Sequence, residues 1–174
     1  MSSFFSKLFD QEDTSPAQPA SDTETVRKII SEIDRLDPDE ARYLAAFAFV
    51  LARVANSDSG ISGDESRRME EVVREVGGLT EAQAVLAVQI AKSQQLLKGG
   101  TENYLVTREF NKIANREQKE QLLHCLFEIS AADDSISLAE EDEAAAIALE
   151  LKIEHKDFTA IRSRYNEKRS ILKR

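Results

Sequence analysis

Residues 43–65 read YLAAFAFVLARVANSDSGISGDE, and residues 118–140, 75 positions later, read QKEQLLHCLFEISAADDSISLAE. In the first stretch Phe47, Val50, Leu51 and Val54 stand at i, i+3, i+4 and i+7, one face of a helix. In the second, Leu122, Cys125, Leu126 and Ile129 repeat that face. The next stripe, Met69, Val72, Val73 and Val76, returns as Ala144, Ile147, Ala148 and Leu151. Between the stripes Asp58, Ile61, Ser62 and Glu65 match Asp133, Ile136, Ser137 and Glu140 identically. Eight apolar positions and four identities at one offset predict a duplication. The expected architecture is two four-helix halves, 22–98 and 101–169, packed about a pseudo-dyad. The match fades in the fourth helix of each half. Over Tyr43–Val54 the helix is apolar on most sides, which marks it as central, and the helix over 116–132 is its expected partner.

Working outward, helix starts follow from capping chemistry. A helix leaves its first N–H groups unpaired; a Ser, Thr, Asp or Asn side chain accepts one, and a Glu or Gln three residues on reaches back. Ser21/Glu24, Asp37/Glu40, Ser62/Glu65, Thr80/Gln83, Asn115/Gln118 and Ser137/Glu140 all fit. With starts near Thr101 and His155 they predict an all-α bundle of about eight helices over 22–36, 38–57, 63–76, 81–98, 101–114, 116–132, 138–151 and 155–169. No stretch alternates with period two, so no strands are expected. Residues 11–22 carry Pro, Ser, Thr, Asp and Glu without a large apolar side chain and read as a linker. An N-terminal stub and linker over 1–21 and one helical domain over 22–174 result.

Composition narrows the function classes. Lys and Arg total 23 against 32 Asp and Glu, a net charge of −9 that disfavours nucleic acid and anionic membrane as partners of the whole surface. The single Cys125 excludes an intrachain disulfide and points to a reducing compartment, hence the cytoplasm. The longest apolar run, Tyr43 to Ala52, is too short to span a bilayer. Nucleotide-binding and serine-hydrolase motifs are absent, and two His residues with one Cys cannot build a Cys₂His₂ zinc site.

The doubled unit D-x-x-I-S-x-x-E, with Asn103-Tyr104, Arg108-Glu109-Phe110-Asn111, Glu117, Leu122-Leu123 and the ending Phe158-Thr-Ala-Ile-Arg162, resembles the TerB-like family named after a bacterial tellurite-resistance component. The resemblance spans about residues 24–166. It implies a compact, internally duplicated helical bundle, tied to tellurite and oxidative-stress gene neighbourhoods, membrane-associated stress complexes and, in a related domain, a DnaJ-type co-chaperone. It also implies a metal role for Asp58, Glu65, Asp133 and Glu140. Where the family places Gly in the loop, this chain has Ser59 and Asp134.

Candidate sites follow. Carboxylates in a tight loop suit Ca²⁺, Mg²⁺ or Mn²⁺, which nominates Asp58, Glu65, Asp133, Asp134 and Glu140, with Glu141 and Asp142 making the second loop the more acidic. Against this, the capping boxes account for both Glu65 and Glu140, and neither loop has the bidentate Glu of an EF-hand. Cys125 sits on the apolar stripe as a core residue; His124 and Glu120, four apart, suggest a surface pair. Residues 156–174 carry about +5, read first as compensation of the last helix's dipole and second as a clamp onto the acidic body. Phe4, Phe5, Leu8 and Phe9 share one helical face that suits docking on the protein's own surface or in a partner protein's groove; with Lys7 nearly alone, the membrane ranks last. The expectation is a non-enzymatic binding or sensing module of a stress or envelope system, cytoplasmic or peripheral at the inner membrane. A divalent-metal-binding protein is the alternative.

Overall fold

The computed structural model describes residues 27–29, 31–55, 63–94 and 100–172. After helical residues at 27–29 and 31–33 come α1 (Pro38–Ala55), α2 (Gly63–Glu75), α3 (Glu81–Gln94), α4 (Gly100–Ile113), α5 (Arg116–Ser130), α6 (Leu138–Glu150) and α7 (His155–Ser163). Short 3₁₀ turns occupy Ala131–Asp133 and Ser170–Leu172. Among the described residues there is no strand, only one isolated parallel bridge between Ile136 and Arg169, so the fold class is all-α as expected. The stub with Phe4, Phe5, Leu8 and Phe9, the linker, the first loop with Asp58, and residues 95–99 lie outside the described residues.

Capping explains the starts. Asn115 and Ser137 each form complete capping boxes with Gln118 and Glu140. Thr80 and Gln83 exchange the same pair of bonds, at 2.9 and 3.3 Å. Asp37 accepts from the Asp39 N–H at 3.0 Å, but its expected partner Glu40 accepts from the Gln83 side chain instead. The last helix is shorter than predicted: α7 stops at Ser163, and 164–168 form turns.

In α1, Leu44, Phe47, Val50, Leu51 and Val54 are almost fully buried; burying each such side chain is worth roughly 1.5–3 kcal/mol. α1 packs against α3, α4, α5 and α6, while α5 packs against α1, α2, α6 and α7. Each central helix thus touches the other and the helix that follows the other. The Phe110 ring meets Tyr43 at 5.3 Å and Phe47 edge-on at 6.2 Å. Phe127 stacks on Tyr165 at 5.2 Å.

The turns that follow α2 and α6 differ in length and in the residue that takes the left-handed backbone. After α2 the chain turns through Gly77 and Gly78, with Gly78 at φ +69°. A Cβ on Gly77 would stand 2.4 Å from the Val73 carbonyl oxygen, 3.1 Å from Cys125 Sγ and 3.2 Å from Phe47 Cζ, so this turn seats on the core only as glycine. After α6 the left-handed position falls on Lys152, at φ 58°. That turn is one residue shorter. Beyond it, Ala84, Ala87 and Ala91 of α3 are buried, as are Phe158, Ile161 and Tyr165, which stand 74 rather than 75 positions further on. No helix among the described residues is long and apolar enough to cross a membrane.

Candidate functional site

The second acidic loop is tied to the C-terminal segment. The Ile136 N–H donates to the Lys168 carbonyl at 2.8 Å, and the Ser170 N–H donates to the Ile136 carbonyl at 2.9 Å. Asp134 takes the left-handed conformation, φ 63°, where the family's Gly was expected, and its carboxylate pairs with Lys168. Glu141, 7% exposed, receives Arg169 at 2.5 and 2.8 Å and Arg162 at 3.2 Å. The Arg169 hydrogen bond in particular holds its carboxyl below the usual range. Arg162, Lys168 and Arg169 therefore clamp the C-terminal segment onto Asp134 and Glu141. The first reading, dipole compensation, holds for Arg162 in the last turn of α7, but the chain leaves α7 at Ser163 and turns back, so Arg169 lies beside α6 instead.

The nominated metal residues fare unequally. Glu140 is engaged in its capping box, accepting from the Ser137 N–H at 2.8 Å and hydroxyl at 2.7 Å. Glu65 lies exposed in the first turn of α2. The Asp133 backbone is in the 3₁₀ turn, but its carboxylate, like all of Asp58, is outside the described residues. Of these acidic residues, Asp134 and the neighbouring Glu141 pair with the returning chain, while Glu140 bonds to Ser137. Among the described residues no group of three or more His, Cys, Asp or Glu side chains could hold a metal ion.

A second polar cluster joins distant parts of the chain. Arg53, its side chain 7% exposed, donates to Glu143 at 2.7 Å, Glu150 at 2.6 Å and the Thr107 hydroxyl at 2.7 Å. Burial alone would lower its pKa, but hydrogen bonds to Glu150 and Glu143 outweigh that and raise it. Sequence reading passed over Arg53; the signal was a lone charge inside an otherwise apolar helix, facing Glu143 and Glu150 seven apart on α6. His124 pairs with Tyr165 (Nδ1···Oη 3.2 Å) rather than with Glu120, which accepts from Arg116 at 2.8 Å. Burial, then the nearby Arg164, lowers the His124 pKa. Cys125 is buried and its thiol is pushed up to about 12, as befits a core residue.

Between the first turns of α1, the α2–α3 turn, the end of α4 and the start of α5 lies a cleft of about 560 Å³. Asp39, Glu40 and Tyr43 line one side, with Leu79 and Ile113 supplying apolar surface and Gln83, Gln118 and Gln121 supplying amides. The Gln121 amide lies against Gly78. Burial raises the Tyr43 phenol to about 12, so it stays protonated. Sequence reading named Glu40, Gln83 and Gln118 only as caps and Tyr43 only as the start of the apolar helix; the Gly77-Gly78 turn, a close approach of backbone to core, was the available signal.

A family model described as tellurite resistance protein TerB matches residues 43–163. No curated protein and no solved structure matches the chain.

Proposed function

Because the chain belongs to the TerB family, we propose that it is a non-enzymatic binding module of a bacterial stress or envelope system of the tellurite-resistance kind, working in the cytoplasm or at the inner face of the membrane. The observation that carries this reading is where the carboxylates go. Glu140 caps a helix, Glu141 holds the C-terminal segment, and Glu143 and Glu150 neutralise a buried Arg53. Acid–base chemistry needs a carboxylate within reach of a substrate, and these four serve the fold. The two halves are read as copies of one unit. In support, α1 touches α6 as α2 touches α5, and the matched stripes on α1, α2, α5 and α6 are buried or partly buried in both halves.

The test is complementation. A strain lacking the gene should lose resistance to tellurite or to envelope stress, and the full chain should restore it. Glu140→Gln, which leaves the fold with a weakened cap, should restore it equally. Unchanged resistance of the deletion strain under every stress applied would refute the assignment. Loss of complementation by a folded Glu140→Gln protein would instead favour carboxylate chemistry or metal binding.

A further inference from the structure

The cleft beside Tyr43 is not accounted for by packing. Its volume, about 560 Å³, falls within the roughly 300–1,000 Å³ of ligand sites. Its charge is one-sided: Asp39 and Glu40 line it, and no Lys or Arg does. Glu40 is also held there. It is the residue expected to close the cap with Asp37, yet its carboxylate is drawn to the Gln83 side-chain amide. Gln83 is itself fixed, because its carbonyl accepts from the Thr80 N–H at 2.9 Å. One glutamine thus caps α3 and sets a carboxylate of α1. Beside it Ile113 and the Tyr43 ring, which Phe110 holds at 5.3 Å, present apolar surface over the buried Leu79, among the amides of Gln118 and Gln121.

A fixed carboxylate beside an apolar wall suits a cation on an aliphatic stem, since long basic side chains lay their methylenes on apolar surface and keep the charged head at a polar group. We propose that this cleft receives the side chain of a lysine or arginine presented by a partner protein, the stem lying along Leu79, Ile113 and Tyr43 and the head reaching Glu40. Asp39, its side chain 90% exposed and loosely paired with Arg42 of its own helix at 3.6 Å, adds a longer-range attraction that weakens as salt shortens the Debye length. The proposal deepens the binding-module reading and rests on it.

The experiment is an amide-resonance titration of the full chain with the peptide Ac-Gly-Lys-Gly-NH₂, against the same peptide carrying norleucine, which keeps the stem and removes the charge. The lysine peptide should shift Gly77, Gly78, Gln83 and Gln121 saturably, at least fivefold more tightly than norleucine, and more weakly as NaCl rises. Glu40→Gln should weaken it at least fivefold; Asp39→Asn, on an exposed carboxylate, is the second variant and should slow or weaken capture without disturbing the remaining resonances. Equal response to both peptides, indifference to both substitutions, or shifts confined to residues 134–142 would overturn the proposal. Binding of free 1,5-diaminopentane as tightly as the lysine peptide would overturn the partner-protein source. A variant that complements the deletion strain yet ignores the lysine peptide sinks the cleft alone and leaves the binding-module reading standing.

Discussion

Replacing Arg53 with Met should cost the protein about 3 kcal/mol. The guanidinium is 7% exposed and holds three groups: Glu143 at 2.7 Å, Glu150 at 2.6 Å and the buried Thr107 hydroxyl at 2.7 Å. Removing one partner of a buried pair costs about 3–5 kcal/mol, because the remaining charge stays desolvated. Here Glu143 is 35% and Glu150 19% exposed, so both recover some hydration, which places the value at the low end. For a chain of this size that is a fall in melting temperature of about 6–12 °C. Urea denaturation followed by helical circular dichroism gives the free energy directly. Arg53→Lys should fall between, since an ammonium cannot serve the same forked geometry. The double change Arg53→Met with Glu150→Met should recover most of the loss, because a buried pair replaced by apolar side chains is often neutral. A cost under about 1 kcal/mol would place Arg53 with ordinary surface bridges, and a double variant no better than the single would refute the charge argument.

Further outcomes are expected. Gly77→Ala should destabilise by about 1–3 kcal/mol, as overpacking does, while Lys152→Gly should stabilise by about 0.5–1 kcal/mol by relieving a left-handed lysine; chemical denaturation of both variants checks the pair. Glu141 has a folded pKa below its ordinary 4.5, so its contribution is full above that value and is lost as pH falls through the folded one. Glu141→Gln should therefore be less stable near neutrality and show a flatter acid limb. Cys125, with its thiol raised to about 12, should resist iodoacetamide at pH 8 in the native protein and react in urea, read by intact mass. Calcium, magnesium or manganese at millimolar concentration should leave the melting temperature unchanged if the second loop serves only the fold; a rise abolished by Asp133→Asn would restore the metal reading.

The helical class and the central position of α1 were legible because burial has a periodic imprint: the stripe Phe47, Val50, Leu51, Val54 is buried throughout. Capping pairs were legible because their spacing is fixed by helix geometry, as at Asn115/Gln118 and Ser137/Glu140. What stayed hidden depends on contacts distant in sequence. Arg169 finds Glu141 only because α7 ends early and the chain doubles back. The expected likeness of the two fourth helices was not legible at the 75-residue offset, because the turn before α7 is one residue shorter and because small Ala84, Ala87 and Ala91 are buried in α3 where large Phe158 and Ile161 are buried in α7. The Glu40–Gln83 link crosses between helices, and no local pattern announces it. Asp134 was readable in part, since Asp tolerates the left-handed backbone that Gly would take.

Arg53 also sets an order of events during synthesis. Its acidic partners lie 90 and 97 residues further along the chain. At about 5–20 residues per second they leave the ribosome roughly 5–20 seconds after it. Throughout that interval α1, the most apolar of the described helices, carries a positive charge whose partners are not yet made. An early, dry collapse of the first half onto itself would bury that charge alone. Such a dry closure of the first half is disfavoured until Glu143 and Glu150 are made, because a buried charge without its partner is costly.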